Sequence, residues 1–162
     1  MMSERIYLNN DWKFAEQFEA SMTEATYDDS VMQNVRLPHT CKETPLHYFD
    51  EHCYQMVSGY RRVIEAEEAW KGKKILLTID GAAHDSEVFL NGDKVGEHHC
   101  GYTAFTMDIS GVLRYGEKNI LVVKVDSRED LNIPPFGYVI DYMTYGGIYR
   151  DVYLDIKNKD YI

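Results

Sequence analysis

Proline is scarce in this sequence, with four in 162 residues, and cysteine scarcer still, with three. Cys41, Cys53 and Cys100 make an odd count without regular spacing, which argues against a disulfide scaffold and for reduced thiols in a cytoplasmic protein. No apolar run approaches the roughly 20 residues of a membrane span, and the opening residues Met1 to Asn9 lack the apolar stretch of an export signal. There is no Asn-x-Ser/Thr sequon, no internal repeat and no low-complexity tract. Basic residues are few: 17 Lys and Arg stand against 27 Asp and Glu, a formal charge of −10 and a pI near 5.0. A partner held through phosphate contacts is disfavoured, because such binding needs a basic patch. G-x-S-x-G, P-loop and G-x-G-x-x-G motifs are missing, which removes the usual anchors of serine-hydrolase, nucleotide and dinucleotide sites. His39, His47, His52, His98 and His99, with the three cysteines, follow no zinc-ligand spacing.

What is present suits a folded β protein. Apolar residues make up 44% and charged residues 27%, enough to build a core, and the length fits one domain over 1–162. Thirteen tyrosines favour strands and sugar-facing surfaces, since a phenol ring packs on a pleated sheet and carries a hydroxyl. Short alternating or apolar runs recur between Gly, Asn and Asp about every ten residues, the pattern of an all-β sandwich. Strands are expected over 60–66, 74–80, 86–90, 94–98, 104–108, 119–126 and 148–156, the last covered on both faces. Asn91-Gly92 supplies the positive φ values of a type I′ turn, so 87–96 reads as a hairpin. Helical turns are expected over 11–22, where Trp12, Phe14 and Phe18 share a stripe, and over 109–113, although Trp12-Lys13-Phe14 also alternates as a strand does.

The sequence first points to a site between strands. Leu131 to Gly137 carries Pro134-Pro135 and must be loop, and with 138–147 it forms a connection of about twenty residues, a length that is often functional. Within it Asp141 sits among Tyr138, Val139, Ile140, Tyr142, Met143 and Tyr145. A carboxylate in apolar surroundings needs partners, so Asp141 is either tied structurally or presented to a ligand. Carboxylates are abundant, and two flanking a glycosidic bond suffice for glycoside hydrolysis, but abundance itself leaves no pair to choose.

Several segments, in order, resemble the amino-terminal domain of glycoside hydrolase family 2, the β-galactosidase and β-glucuronidase type glycosidases. They are Val35-Arg36-Leu37-Pro38-His39, Gly59-Tyr60-Arg61-Arg62, Gly81 leading to Val88-Phe89-Leu90-Asn91-Gly92, Val95-Gly96-Glu97-His98, Gly101-Tyr102-Thr103-Ala104-Phe105, Asp108-Ile109, Gly116-Glu117-Lys118-Asn119 and Gly146-Gly147-Ile148-Tyr149-Arg150-Asp151-Val152. Together they cover about 9–157. The resemblance implies a jelly-roll β-sandwich of the galactose-binding-domain kind, followed in such enzymes by an immunoglobulin-like sandwich and a (β/α)₈ barrel that carries both catalytic glutamates. It implies a non-catalytic domain here, no catalytic residue within the chain, and a β-galactoside or related carbohydrate and the downstream domains as partners. Homo-oligomerisation of the whole enzyme and sodium or magnesium as its metal are further implications.

The resemblance also carries roles over to particular residues. Asp141 matches an Asp that reaches into the barrel, contacts the sugar and in some members helps bind sodium. Gln55 is a second substrate-binding candidate, from the loop before Gly59-Tyr60. Arg150 and Asp151 match the closing motif and are expected to tie down the preceding long loop. Asn91 and Gly92 match through turn geometry, and Tyr102 and Phe105 are expected in the core rather than on a sugar. The sequence departs from the family at Gly59, where many members have an aromatic, and at Thr40-Cys41, where Asp-Trp is common; both weaken any assignment of the sugar. The rival readings are a self-sufficient carbohydrate-binding module and a purely structural domain that mediates oligomer contacts.

Overall fold

The structure, a computed structural model, describes residues 4–44, 46–47, 50–134, 136 and 144–159. Ten strands form among these residues: β1 (Glu4–Tyr7), β2 (Trp12–Ala15), β3 (Gln33–Val35), β4 (Val57–Glu65), β5 (Lys74–Ile79), β6 (Asp85–Leu90), β7 (Asp93–His98), β8 (Phe105–Asp108), β9 (Lys118–Asp126) and β10 (Val152–Lys157). They pair antiparallel into a four-stranded sheet of order β1-β10-β5-β8 and a six-stranded sheet of order β3-β2-β4-β9-β6-β7. The all-β sandwich expected from the sequence is therefore observed.

Alternation explains which side of each sheet faces in, because successive side chains on a strand point to opposite faces. Val152, Leu154 and Ile156 of β10 and Ile75, Leu77 and Ile79 of β5 meet Tyr60 and Ile64 of β4, Leu121, Val123 and Val125 of β9, and Val88 and Leu90 of β6. Trp12 and Phe14 of β2 join the same core, and Trp12 donates its indole N–H to the Leu8 carbonyl. Burial of side chains this size stabilises by about 1.5–3 kcal/mol each, so the core carries the fold.

The outer face of the six-stranded sheet is partly covered too. A strap from β2 to β3 lays Phe18, Met22 and Met32 on Val122 and Phe89. It is anchored by Arg61, 3% exposed, whose guanidinium donates to Asp29 Oδ2 at 3.2 Å and to the Glu24 carbonyl at 3.1 Å.

Three sequence expectations need correction. Residues 11–22 are not a helix: the Trp12, Phe14 stripe belongs to β2, and only Ala20–Thr23 coils, as a short 3₁₀ turn. The last strand begins at Val152 instead of residue 148, and its outward residues are only half-buried, so one face alone is fully covered. Tyr102 is 44% exposed and lies outside the core, whereas Phe105 packs against it and stacks on His98.

The Asn91-Gly92 hairpin forms as expected, with φ of 54° and 94°, joining β6 to β7. Asn91 does more than turn the chain. Its side chain accepts from the Ile120 N–H at 3.0 Å and donates to Asn119 Oδ1 at 2.8 Å, clipping the hairpin to β9. Asn119 is fully buried, and its remaining bonds go to the Arg114 N–H and to the carbonyls of Arg114 and Glu117.

Candidate functional site

Gly147 sets the geometry at the end of the sandwich where the long connection returns. Its N–H and carbonyl pair with the carbonyl and N–H of Ala83, at 3.3 and 3.0 Å, while Gly146 O accepts from the Cys41 N–H at 2.9 Å. Gly147 has φ of +113°, and a Cβ there would lie 2.6 Å from the Tyr60 hydroxyl and 2.8 Å from the His39 carbonyl, so only glycine fits. Beneath it Tyr60 is fully buried and bonds to His39 Nδ1 at 2.8 Å. Burial pushes the Tyr60 phenol up and the His39 imidazole down, so both are neutral at physiological pH.

The bridge from Ala83 to Gly147 places His84 at the middle of this end, after a cis Ala83–His84 peptide bond. His84 is 4% exposed, and neither ring nitrogen has a hydrogen-bond partner. Burial pushes its pKa down, against the opposing pull of Asp126. Two pockets meet on this ring. One, of about 270 Å³, is lined by Tyr102, Tyr145 and Tyr149 together with Ala83, His84, Thr144 and Arg150. The other, of about 430 Å³, holds Gln55 and His84 with Asp85, Asp126, Glu129 and Asp130 against one guanidinium, Arg128.

Two of the four carboxylates in the second pocket are paired by the chain itself. Asp85 and Asp126 face each other across β6 and β9, a like-charge pair that would repel. Arg128 donates to both Asp126 oxygens, at 2.9 and 2.6 Å, and His99 Nδ1 lies 2.7 Å from Asp85 Oδ1. Burial, the largest single influence, raises the Asp126 carboxyl, but the bonds from Arg128 together hold it below the usual range. Asp85 raises the His99 imidazole in return.

In the first pocket the polar groups are less committed. Tyr149 donates its hydroxyl to the Gly101 carbonyl, and Tyr145 is set edge-on against Tyr54 at 5.1 Å. Arg150 donates one N–H to the Tyr102 carbonyl at 3.2 Å and lies 5.2 Å from the Tyr149 ring centre.

The residues singled out from the sequence are placed as follows. Asp141 lies outside the described residues. Gln55 lines the acidic pocket, half-buried, at the end of the Glu51–Tyr54 3₁₀ turn. The described partners of Arg150 and Asp151 are not in the preceding long loop: Arg150 reaches the 101–102 turn, and Asp151 accepts from Asn9 Nδ2 at 2.9 Å. Among the described residues no group of three or more His, Cys, Asp or Glu gathers in a way that would hold a metal ion, and no helix is long and apolar enough to cross a membrane.

His84 escaped the sequence reading, although one signal was available. It shares parity with Ser86, Val88 and Leu90, the inward-facing set of β6.

The comparisons with known proteins bear on this whole architecture. The model of the family described as "Glycosyl hydrolases family 2, sugar binding domain" matches residues 6–158. The chain belongs to that family. A β-galactosidase of Thermoanaerobacter pseudethanolicus is 42% identical over 158 residues, covering 97% of this chain and 21% of the relative. A β-glucuronidase of Bacteroides fragilis is 35% identical, covering 95% of this chain and 21% of its own length. A solved structure of Bacteroides uniformis β-glucuronidase 2, covalently bound to cyclophellitol-6-carboxylate aziridine, superposes with a TM-score of 0.84 at 31% identity, over 96% of this chain and 18% of that one. The chain thus spans about a fifth of the length of these relatives. It is the sugar-binding domain type found in family 2 glycosidases.

Proposed function

We propose that this chain serves as the non-catalytic amino-terminal domain of a larger retaining β-glycosidase, of the β-galactosidase or β-glucuronidase type, and contributes Asp141 to the terminal-sugar subsite. The supporting observation is the family match over 6–158 in a chain that spans about a fifth of relatives bearing those names. In such an enzyme one carboxylate attacks the anomeric carbon and a second acts as acid and then base, both supplied by residues outside this chain. The chain's own share is positioning. A carboxylate at Asp141 accepts two sugar hydroxyls at once and fixes the ring for the distant catalytic pair. Asp141 is also the residue that would help hold sodium; among the described residues no group of His, Cys, Asp or Glu builds a metal site.

Two measurements test the reading. Asp141→Ala in the enzyme carrying this domain is expected to lower kcat/KM about 100-fold, or about 2.7 kcal/mol of transition-state stabilisation; an unchanged kcat/KM defeats the positioning role. An immunoblot of source cells is expected to show a polypeptide several times larger than 18.9 kDa. A band at 18.9 kDa defeats the larger enzyme and leaves a self-sufficient carbohydrate-binding protein.

A further inference from the structure

Cys41 is 4% exposed, and its thiol donates to the Tyr54 carbonyl at 3.8 Å. That carbonyl is itself pinned, because it also accepts from Ser127 Oγ at 2.5 Å and the Tyr54 side chain is buried. Cys53 immediately precedes Tyr54 on the Glu51–Tyr54 3₁₀ turn and packs, half-buried, against the core cluster that contains Cys41. The contact at Tyr54 leaves Cys53 one Cα step away, about 3.8 Å, and a disulfide needs its two Cα atoms about 4.4–6.8 Å apart. Both thiols are free. They also sense each other: burial pushes the Cys41 thiol up, and a charge on Cys53 raises it further. The two differ in access. A small oxidant can meet the half-buried Cys53, whereas Cys41 is enclosed, with its N–H on the Gly146 carbonyl. Cys100 belongs elsewhere, in the turn before β8, where a bond from Thr103 holds its thiol down.

We propose that Cys41 and Cys53 form a reversible oxidation site, which a peroxide closes into an intramolecular disulfide. The Cys53 sulfur attacks one peroxide oxygen and the O–O bond breaks, giving a sulfenic acid and one water. The Cys41 sulfur then attacks the Cys53 sulfur; the S–O bond breaks, and the hydroxyl leaves with the Cys41 proton as a second water. Two thiols are oxidised and one peroxide is reduced. The bridge fastens the 3₁₀ turn that ends at Gln55 to the segment bonded to Gly146, a clamp on this end of the sandwich. The inference is independent of Asp141 and of the proposed glycosidase.

The test is oxidation of the folded 162-residue chain with hydrogen peroxide, followed by capping of free thiols and a non-reducing tryptic map. Trypsin cuts after Lys42, between the two cysteines, so the bridge is expected as a linked pair of peptides, 37–42 and 43–61, that separates on reduction. Cys100→Ser is expected to give the same linked pair. Cys41→Ser is expected to stop at the Cys53 sulfenic acid, trapped with dimedone. The bridged chain is expected to melt about 5 °C above the reduced one, since the crosslink restricts the unfolded chain without distorting the fold. Absence of the linked pair, bridges to Cys100 in its place, no trapped Cys53 in Cys41→Ser, or an equal or lower Tm after oxidation would each overturn the proposal.

Discussion

The two pockets that share His84 differ less in size than in how far their polar groups are already satisfied. In the acidic pocket the chain pairs two of the four carboxylates itself: Arg128 forks onto Asp126, and His99 meets Asp85. In the aromatic pocket Arg150 holds a single carbonyl, and the imidazole below has no partner. A pocket that has paired its charges internally gains little from a polar ligand, because each new bond replaces an old one. A pocket whose donors are not committed to the protein gains a net bond with each ligand contact. The difference therefore directs attention to the aromatic side, which residue abundance alone would not have done.

The most damaging change to this end of the sandwich is one that breaks the Ala83 to Gly147 bridge. Gly147→Ala places a methyl against the Tyr60 hydroxyl at a positive φ, and is expected to cost about 3 kcal/mol, read as a lowered urea midpoint. A stability equal to the parent's would mean the Ala83 to Gly147 bridge does not hold this end together. A smaller effect is expected in the acidic pocket. Arg128→Ala leaves Asp126 facing Asp85 without its fork, and the exposed position of Arg128 limits the loss to about 1 kcal/mol at neutral pH. Because the paired Asp126 has a lowered pKa, this stabilisation is present above the unfolded carboxyl value and is lost as pH falls through the native one. Parent and Arg128→Ala midpoints should therefore converge in acid.

The smallest effect concerns His84. His84→Leu is expected to raise stability by up to about 1 kcal/mol at pH 7.5, since it removes a buried group with unpaired nitrogens. The lowered native pKa also fixes the pH sign. The stabilisation from a neutral buried imidazole is present above the unfolded value, about 6.5, and is lost as pH falls through the native one. Midpoints measured between pH 7.5 and 5.5 should fall less steeply in His84→Leu, with His39, also lowered by burial, adding to the remaining slope and His99, raised by Asp85, opposing it. An unchanged slope would mean that burial does not lower the His84 pKa.

Much of the sandwich was legible because its signals are local. Asn91-Gly92 forces a turn through backbone sterics, and β5 and β9 bring apolar runs, Ile75 to Leu77 and Ile120 to Val123. The short edge strand β1 is mostly exposed and carries no pattern, so it escaped notice. Trp12 and Phe14 fit a helical stripe and a strand equally well, and pairing with β3 and β4 decided between them. The site was less legible because its parts are distant in sequence. Residues 83–84, 101–102 and 144–150 meet through the Ala83 to Gly147 bridge and through the bonds of Tyr149 and Arg150 to the 101–102 turn, which no spacing announces. Gln55 was singled out for a sugar and lies among carboxylates, since its neighbours come from β6, β9 and the segment after β9.

The pairing of β1 with β10 has a mechanical consequence. Glu4 lies opposite Ile156, so the first and last described strands start and finish at the same end of one antiparallel ladder. Tension between a handle before Glu4 and another after Lys157 would load the ladder at that end and open its rungs one at a time, as a zipper parts. Yielding would begin at the Arg5 to Asp155 ion pair, at low force, while β5 and the six-stranded sheet still held their registers.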